Sequence, residues 1–586
     1  MRIQARTRTG PCIDSPRRGI LNRNEFHFHH TGCPPGGPDR QENELLTADC
    51  LPITAAPGLH RLFLDYCSGA AGAQPFYPLL PPDSGWHERP PLPEHWPQLV
   101  RLLAAQNASP SPAAAAALDA LRQGAGAVVT GQQVGLFGGP LFTPLKAATA
   151  LARARQASAA GHPHAAIFWL ATEDHDFAEI NHVVFPARRE LRKLVYSRAP
   201  AVPRPVGGIV LDEAIAPLID QAWELLGASE AMDALARAYR PGRTFAQAFQ
   251  EFYSQVFAAQ GLLCIDASGR EVHRLGAPIL RAAIERADEL HAALLDRNRA
   301  LQAAGYHAQV AVGPQSSLLF LLDESTGARQ ALKRQSATAR EPGGLWQAGR
   351  QSYSTADLVG ILEAEPERIS PSALLRPVFQ DFLLSTSANV GGPAEVAYFA
   401  QSAVLFERIL GQNLSGRVTP VLARFSATLV EPAIGDLLHQ HELTLERVFA
   451  GNPDSLAQLL AARSLPAEGR RKLAAAGTAL DAELSPLVDW MRSLDESLAR
   501  PAETAASKMR YQMNRLRRLA ANFQLQREAS LARHAQAISQ ALYPGGVLQE
   551  RLHGAAYYLA RHGFALAEEM TRQAAHNCPG HTELWL

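Results

Sequence analysis

Residues 128–146 read VVTGQQVGLFGGPLFTPLK, and this stretch decides the predicted fold class. It opens with apolar residues typical of a buried strand and passes through four glycines within nine positions. Thr143-Pro144 then predicts a helix start, with Lys146 in its first turn. Strand, glycine-rich loop and helix start together are how α/β proteins bring backbone N–H groups to an anion such as phosphate. A tight turn that packs a helix on a sheet fits the same residues. The residues predicted to bind the anion are Thr130, Gly131, Gln132, Gln133, Gly135, Gly138 and Gly139.

A second apolar run, residues 165–172, leads directly into Glu-Asp-His-Asp at 173–176. Such runs suit strands of a parallel sheet that are buried on both faces. Ligands of open α/β sheets bind at the carboxyl ends of the strands, so the glycine loop and the acidic residues around His175 are expected at one edge. A hydrogen-bonded structural histidine fits this position equally well.

Residues 45–435 alternate between strand and helix patterns. Residues 308–323 suggest two strands joined by Gly313-Pro314, and the charged segments 180–240 and 325–370 are expected to be irregular insertions. Alternating strands and helices predict an α/β fold with a Rossmann-like, mostly parallel sheet. The clearest predicted strands are 127–133, 165–172 and 262–267.

Beyond about residue 436 the predicted strands stop, and apolar residues recur at heptad spacing. Pro486 is expected to kink the first helix or to mark a helix start nearby, and Pro501 is expected to end this helix. Residues 481–503 carry six acids against two bases, and residues 508–533 carry seven bases against one acid. This charge pattern predicts an antiparallel coiled-coil hairpin, whose apolar face can pack on its own core or on a second chain. The heptad positions are Leu473, Leu480, Leu484, Leu487, Met491, Leu494 and Leu498, then Met509, Leu516, Leu519 and Phe523.

Composition describes a soluble globular protein with 47% hydrophobic and 19% charged residues. Lys plus Arg and Asp plus Glu both number 56, so the net charge gives no reason to expect nucleic acid or an anionic membrane as a partner. The sequence contains no apolar run of 18 residues or more, so no transmembrane helix is expected.

The six cysteines contain no CxxC pair, and four of them fall within the first 67 residues. In a chain of this size the pattern indicates reduced thiols and not a disulfide framework. The segment HFHHTGC at 27–33 invites comparison with a zinc site, but it lacks a hydrophobic period. It is interpreted as part of a disordered extension over residues 1–44, and no metal site is predicted.

Several motifs in this order resemble the BshC family, the cysteine-adding enzymes of bacillithiol biosynthesis. TGQQVGLFGGPLFTPLK at 130–146 is followed by FWLATEDHDFAEIN at 168–181. LLRPVFQDFLLSTSANVGGPAEVAYFAQ at 374–401 carries the family's RPxxQD and GGPxExxYxxQ patterns. GLLCIDAS at 261–268 and LQER at 548–551 also fit, so the resemblance covers the chain from about residue 45 to its last residue.

The resemblance implies a cytoplasmic ligase that joins L-cysteine, through its carboxyl group, to the amine of glucosaminyl malate. The carboxyl group must be activated, for which ATP bound at the glycine loop and Lys146 is expected. The amine must be neutral when it attacks, and His175 is the first choice of base because its ordinary pKa lies near neutrality. The predicted catalytic residues are Lys146, Glu173, Asp174 and His175.

Arg376 is expected to bind the malate carboxylates, because a guanidinium binds a carboxylate through two hydrogen bonds. An Arg376 paired with an internal acid fits the sequence almost as well. The family is coiled-coil-containing and dimeric, which implies a homodimer through the hairpin. The predicted substrate-binding residues are Trp169, Asp176, Arg376, Gln380, Asp381, Glu395, Tyr398 and Gln401.

Two other functions remain open at this point. One is a nucleotide-dependent transferase or hydrolase whose acidic residues and His175 hold a divalent metal. The other is a non-catalytic scaffold that acts through the coiled coil. The predicted domains are a disordered extension (1–44), a Rossmann-like catalytic core with insertions (45–435), a helical coiled coil (436–540) and a segment that returns to the core (541–586).

Overall fold

A computed structural model describes residues 48–77, 91–188, 190–335, 344–411, 418–576 and 578–586. The expectations for residues 1–44, including the histidine-rich segment, lie outside this range. The strands are β1 (Ala48–Leu51), β2 (Gly126–Gln132), β3 (His164–Leu170), β4 (His182–Pro186), β5 (Leu191–Val195), β6 (Leu263–Asp266), β7 (Ser316–Leu322), β8 (Arg329–Gln335), β9 (Leu345–Ala348), β10 (Gln351–Ser354), β11 (Ile369–Pro371), β12 (Thr386–Gly391), β13 (Val421–Ala423), β14 (Ala427–Val430) and β15 (His581–Trp585).

Helices occupy most of the remaining described chain. None of the helices in these ranges is long and apolar enough to cross a membrane. The α-helices of the first part are Arg61–Cys67, Trp96–Gln106, Pro112–Arg122, Phe142–Ala159, Phe177–Ile180, Ala216–Leu226, Glu230–Ala238, Phe245–Val256, Arg270–Glu285, Ala287–Ala303, Thr355–Ala364, Arg376–Leu384 and Pro393–Leu405. Those of the second part are Pro432–Gln440, Leu445–Phe449, Pro453–Ser464, Ala467–Leu494, Glu496–Arg527, Ala529–Leu542, Gln549–Leu552, Ala555–His562 and Ala565–Ala575.

The central sheet has the strand order β13-β12-β2-β3-β6, and every neighbouring pair is parallel. The α/β, Rossmann-like prediction is therefore confirmed, and β2, β3 and β6 lie where the sequence predicted strands. The chain proceeds from β2 to β3 and β6 on one side, and later returns to β12 and β13 on the other. This change of direction between β2 and β12 is the switch point at which such sheets bind ligands.

Each inner strand contributes to two hydrophobic cores because its side chains alternate between the faces of the sheet. Val128 and Phe168 belong to one core, with the helix Phe142–Ala159. Val129 and Trp169 belong to the other core, on the opposite face. Burial on both faces explains why β2 and β3 are continuous apolar runs.

The insertion after the helix Ala287–Ala303 is more regular than expected. It forms a five-stranded antiparallel sheet of order β10-β9-β8-β7-β11, so the prediction of irregular structure over 325–370 was wrong. Residues 308–323 contain one strand, β7, and not two. In β8 the buried Leu332 lies between the exposed Ala331 and Lys333, an alternation that antiparallel sheets allow.

The helices Ala467–Leu494 and Glu496–Arg527 form the predicted antiparallel hairpin. Ion pairs join Asp481 to Arg510 at 2.7 Å and Arg492 to Glu503 at 2.6 Å across the two helices. The chain reverses at Asp495, whose carboxylate accepts a hydrogen bond from the Ser497 N–H at 2.7 Å. The expectation that Pro501 ends a helix was therefore wrong.

The heptad seam lies only partly inside the hairpin. Leu484 is buried there, as are Ala499, Ala502 and Ala506, whose small side chains let the helices approach closely. Leu473, Leu480, Met491 and Leu498 are partly buried, whereas other large apolar residues of the two helices face outward. The exposed ones, with 48–58% of their surface accessible, are Leu487, Trp490, Leu494, Met509, Tyr511, Leu516, Leu519 and Phe523.

A small third sheet brings distant parts of the chain together in the order β1-β15-β14. A disulfide joins Cys50 in β1 to Cys578, just before β15, with the Cα atoms 5.6 Å apart. The expectation of reduced thiols was wrong for this pair. The two cysteines are 528 positions apart, so their spacing carried no signal of a bond that strand pairing creates.

Candidate active site

The glycine loop after β2 is a strained, buried turn. Phe137, Gly138 and Gly139 all have positive φ angles, of 52°, 84° and 71°, and Phe137 adopts this conformation without the freedom that glycine has. The helix that follows begins at Phe142, with Leu141 as its N-cap, and not at the expected Thr143-Pro144. The ring of Phe137 packs edge-on against Tyr239 at 5.2 Å, which fixes the turn against the core.

The N–H groups of three glycines in this loop already have hydrogen-bond acceptors within the protein. Gly138 donates to the Tyr239 hydroxyl at 2.9 Å, Gly139 to the Leu136 carbonyl at 3.0 Å, and Gly135 to the Gln133 carbonyl at 3.0 Å. The three glycines therefore shape the turn, and in this conformation they do not fit the predicted phosphate cradle.

Lys146 lies beneath the carboxyl end of β2 and is only 3% exposed. Its ammonium donates to the Gly131 carbonyl at 2.7 Å and to Gln132 Oε1 at 2.9 Å, and it forms an ion pair with Glu395. Burial lowers the pKa of Lys146, while the neighbouring Glu395 carboxylate acts in the opposite direction. All three N–H donors have acceptors, so a ligand can reach Lys146 only if one acceptor is displaced.

Arg376 lies beside Gly131 and binds two polar side chains. It donates to Gln380 Oε1 at 2.8 Å and to the Tyr398 hydroxyl at 2.7 Å. Burial disfavours the charge of Arg376, but Tyr398 and Glu395 outweigh it and raise the pKa of the guanidinium. Burial raises the pKa of the Tyr398 hydroxyl, which keeps that group protonated at neutral pH.

These side chains form one connected group, here called the lysine network. It joins residues that were predicted separately as catalytic, cofactor-binding and substrate-binding. Glu395 links two parts of this group. It forms an ion pair with Lys146 and accepts a hydrogen bond at 2.8 Å from the Gly392 N–H, at the carboxyl end of β12. The lysine network consists of Gln132, Lys146, Arg376, Glu395 and Tyr398.

His175 and Asp174 form a second group after β3. Asp174 accepts hydrogen bonds from the Gln133 side chain and, at 2.7 Å, from the backbone N–H of His175. Because Gln132 belongs to the lysine network and Gln133 contacts Asp174, two consecutive glutamines join the groups along one sheet edge. Arg329 Nη1 donates to His175 Nδ1 at 3.2 Å and stacks on Phe320.

The contact with Arg329 decides the tautomer of His175. A neutral imidazole that accepts at Nδ1 carries its proton on Nε2. In this conformation neither nitrogen offers a free lone pair. A role as base therefore requires Arg329 to move away from the ring.

Glu173 does not share these contacts. Its carboxylate pairs with Nε2 of the fully buried His273 at 2.8 Å. Burial lowers the pKa of His273, but Glu173 and the backbone of Ile369 and Pro366 together outweigh burial, so the pKa is raised overall. Glu173 thus belongs to a buried ion pair beside Phe379.

Other predicted site residues hold the scaffold together. Trp169 is 1% exposed and packs edge-on against Phe379 at 6.3 Å. Thr130 donates to the Val390 carbonyl at 3.0 Å. Asp381 accepts from the Thr419 hydroxyl at 2.5 Å.

Three further predicted residues lie in different surroundings. Gln401 is buried and binds the backbone of Val310 in both directions at 2.9 Å. Gln380 links Arg376 to Asn389 in β12. Asp176 is exposed and caps the short helix that follows it. Ligand contacts by these side chains stay predictions.

Sequence reasoning missed two arginines near this edge. Arg424 follows β13 and forms a buried ion pair with Glu550, Nη1 to Oε2 at 2.9 Å. Glu550 lies in the LQER motif, which was noted without a role. Arg329 lies in the segment that was expected to be irregular, and nothing in its sequence indicates a contact with His175. Among the described residues, no three or more His, Cys, Asp or Glu side chains are grouped so as to hold a metal ion.

Two family models match this chain. One describes the N-terminal Rossmann-like domain of the bacillithiol biosynthesis protein BshC and matches residues 46–413. The other describes the C-terminal coiled-coil domain of the same protein and matches residues 427–582. The chain belongs to the BshC family.

Similar proteins extend over nearly the whole chain. A Koribacter versatilis protein is 41% identical over 91% of this chain and 98% of its own length. A Solibacter usitatus protein is 35% identical over 83% of this chain and 89% of its own. A Thermus thermophilus protein is 33% identical over 75% of this chain and 85% of its own length. Each is named "Putative cysteine ligase BshC".

Proposed function

We propose that this family member is a cytoplasmic ligase that joins the carboxyl group of L-cysteine to the amine of glucosaminyl malate. The names of its relatives support a cysteine ligase. The observation that carries the proposal is the lysine network, which gathers two cations and a carboxylate at the switch point of the sheet. Buried charges at the place where such sheets bind ligands are expected to act on a charged substrate.

The two substrates suit the two sides of this network. Glucosaminyl malate carries two carboxylates, and the Arg376 guanidinium keeps its charge in a half-buried position next to Gly131. Cysteine carries an ammonium group, for which the carboxylates of Glu395 and Asp174 are our candidates on this edge. We therefore propose that Arg376 binds the malate carboxylates, and that Glu395 and Asp174 orient the amino groups of the two substrates.

Amide formation from a carboxylate requires activation, and we propose that ATP supplies it. No contacts to ATP are assigned, because the N–H groups of Gly135, Gly138 and Gly139 already donate to Gln133, Tyr239 and Leu136. For the amine, we propose that His175 accepts the proton after Arg329 turns toward substrate. The same movement would supply a cation to the developing negative charge.

The direct test is to incubate the purified full-length chain with L-cysteine, glucosaminyl malate and ATP, and to follow bacillithiol by mass. Product that depends on all three compounds is expected. Omission of ATP separates the activation step from the ligase assignment, because product without ATP would keep the ligase and remove the nucleotide. No product under conditions in which the Thermus thermophilus relative forms it would overturn the proposal.

We also propose that the chain forms a homodimer through the outward face of the hairpin. Monomers rarely leave a row of large apolar side chains in water, and this row covers both helices. Its heptad spacing suits helix-to-helix packing with a second copy. Sedimentation velocity should give twice the chain mass, and a monomer at micromolar concentration would contradict this proposal.

A further inference from the structure

The Cys50–Cys578 disulfide lies between two cavities and not within a core. Cys50 is exposed on the edge strand β1, while Cys578 is partly buried. A cavity of about 300 Å³ is lined by Cys578 and by Cys67, a free thiol. A second cavity, of about 420 Å³, contacts both Cys50 and Cys578. A small molecule can therefore approach the sulfur atoms without unfolding of the protein.

The two sulfur atoms have different electrostatic surroundings. The cavity beside Cys578 is lined by three arginines, Arg153, Arg424 and Arg551, and by one carboxylate, that of Glu550. Cys50 follows Asp49, which pairs in the sheet with Glu583. A thiolate is stabilised by neighbouring cations and destabilised by carboxylates, so Cys578 is the better leaving group.

We infer that this disulfide is a thiol-exchange site that accepts a low-molecular-weight aliphatic thiol on the sulfur of Cys50. The incoming thiolate attacks the exposed Cys50 sulfur, its S–S bond to Cys578 breaks, and Cys578 leaves as a thiolate. A second thiolate then attacks the mixed disulfide, which releases Cys50 and the oxidised small thiol. Two external thiols are oxidised and one protein disulfide is reduced.

Cys67 does not compete for the disulfide. Burial raises the pKa of the Cys67 thiol to about 12, so it stays protonated and is a poor nucleophile at neutral pH. Exchange therefore proceeds with the external thiol and not by migration of the bond to Cys67.

Reduction acts on one wall of the cavity of about 300 Å³. The segment after β1 contributes Ile53, Ala56 and Leu59 to that wall, and β1 is an edge strand held by four residue pairs to β15. Without the covalent link, β1 is expected to open more often than the central sheet. The inference stands independently of the ligase reaction.

The test uses oxidised full-length protein, in which peptide mapping first verifies the Cys50–Cys578 link. Free cysteine is added as the thiol probe, the reaction is stopped by alkylation, and peptide masses locate the products. The early product should carry cysteine on the Cys50 peptide and the alkyl group on Cys578. Hydrogen exchange of residues 48–51 should become faster by about tenfold or more in the reduced protein, with β2 and β3 unchanged.

Several results would overturn the inference. These are failure of the oxidised link to form, a first adduct on Cys578, or a disulfide that reacts with cysteine only in denaturant. Cys67→Ser should leave the adduct pattern unchanged, whereas loss of the adduct would show that Cys67 mediates exchange.

Arg551→Gln should slow formation of the Cys50 adduct by roughly threefold to tenfold, since the departing thiolate loses a neighbouring cation. Arg101→Gln, at an exposed arginine elsewhere, is the matched control and should leave the rate unchanged. Equal rates in both variants would remove the electrostatic argument for attack at Cys50.

Discussion

The edge of the parallel sheet buries charged side chains, whereas the helical hairpin exposes large apolar ones. Both are the reverse of what is usual in a folded protein. At the edge, the charges of Lys146 and Arg376 are withdrawn from water. In the hairpin, Trp490 and Phe523 are left more than half exposed. A buried charge is costly unless it is paired, and exposed apolar surface loses the favourable energy of burial. The first departure therefore suggests a bound substrate, and the second suggests a bound protein surface.

The largest effect is expected from Lys146→Met, which leaves Glu395 unpaired at the sheet edge. The free energy of unfolding should fall by about 3 kcal/mol, and product formation should fall by at least about a hundredfold. Urea unfolding and a turnover assay measure the two effects. The double variant Lys146→Met with Glu395→Gln removes both charges, so it should recover most of the stability but not the turnover. Normal turnover in the double variant would exclude Lys146 and Glu395 from the chemistry.

At the hairpin, Leu516→Glu combined with Phe523→Glu should dissociate the dimer. Each change places a charge where a large apolar side chain would be buried, so the dimer Kd should rise by about a hundredfold or more. Sedimentation velocity over a range of concentrations measures it. Gln512→Glu with Gln526→Glu adds the same charge to exposed polar positions of the same helix and serves as the control. Equal weakening by the control would assign the effect to charge and not to the apolar face.

A smaller and more specific effect is expected at His175. His175→Gln should lower kcat by about tenfold to a hundredfold and leave the melting temperature nearly unchanged, because the side chain is about one-third exposed. His182→Gln, at a histidine of β4 outside both groups, is the matched control and should retain wild-type kcat. A His175 variant that loses stability but not kcat would make this histidine structural.

The smallest effect is expected at Glu583, a buried carboxylate that has other carboxylates beside it. Burial, together with Asp49 and Glu446, raises the pKa of Glu583 to about 7. The unfolded chain ionises this group near 4.5, so the folded state loses stability as pH rises from about 4.5 to about 7. The full shift corresponds to about 3 kcal/mol, and because the group is only partly screened from solvent we expect a loss of about 2 kcal/mol.

Unfolding measured against pH for wild type and Glu583→Gln checks this expectation. The curves should coincide near pH 5, and the variant should be the more stable at pH 8. His553 and His581 act in the opposite sense, since burial lowers the pKa of each to about 4. Their contribution is common to both proteins and cancels in the difference. Parallel curves from pH 5 to pH 8 would contradict the raised pKa.

The sequence predicted correctly those parts of the fold whose residue pattern is compatible with only one kind of secondary structure. The apolar runs of β2 and β3 are buried on both faces and could hardly be anything else. β12 was missed because Thr386–Gly391 is small and polar, and it becomes a strand only through its neighbours β2 and β13. Pro501 was misjudged because the cap at Asp495 sets the helix boundary six residues earlier, and Pro501 lies inside the second helix.

The site was predictable as a place but not as a set of contacts. Strand ends identify an edge, and motif residues supplied most side chains of the lysine network. Hydrogen-bond partners depend on three-dimensional neighbours. The sequence therefore did not show that Glu395 and Gln132 accept hydrogen bonds from the Lys146 ammonium, or that Arg329 donates to the His175 ring. The outward face of the hairpin was equally hidden, because heptad spacing defines a stripe without stating which way it points.

The order of the small sheet has a consequence for biosynthesis. β15 lies between β1 and β14, and the cysteines that join its two sides are 528 positions apart. A ribosome adding about 5–20 residues per second exposes β1 for roughly half a minute or more before its partner emerges. During that interval β1 is an unpaired edge, and a chaperone bound there would protect the nascent chain from aggregation.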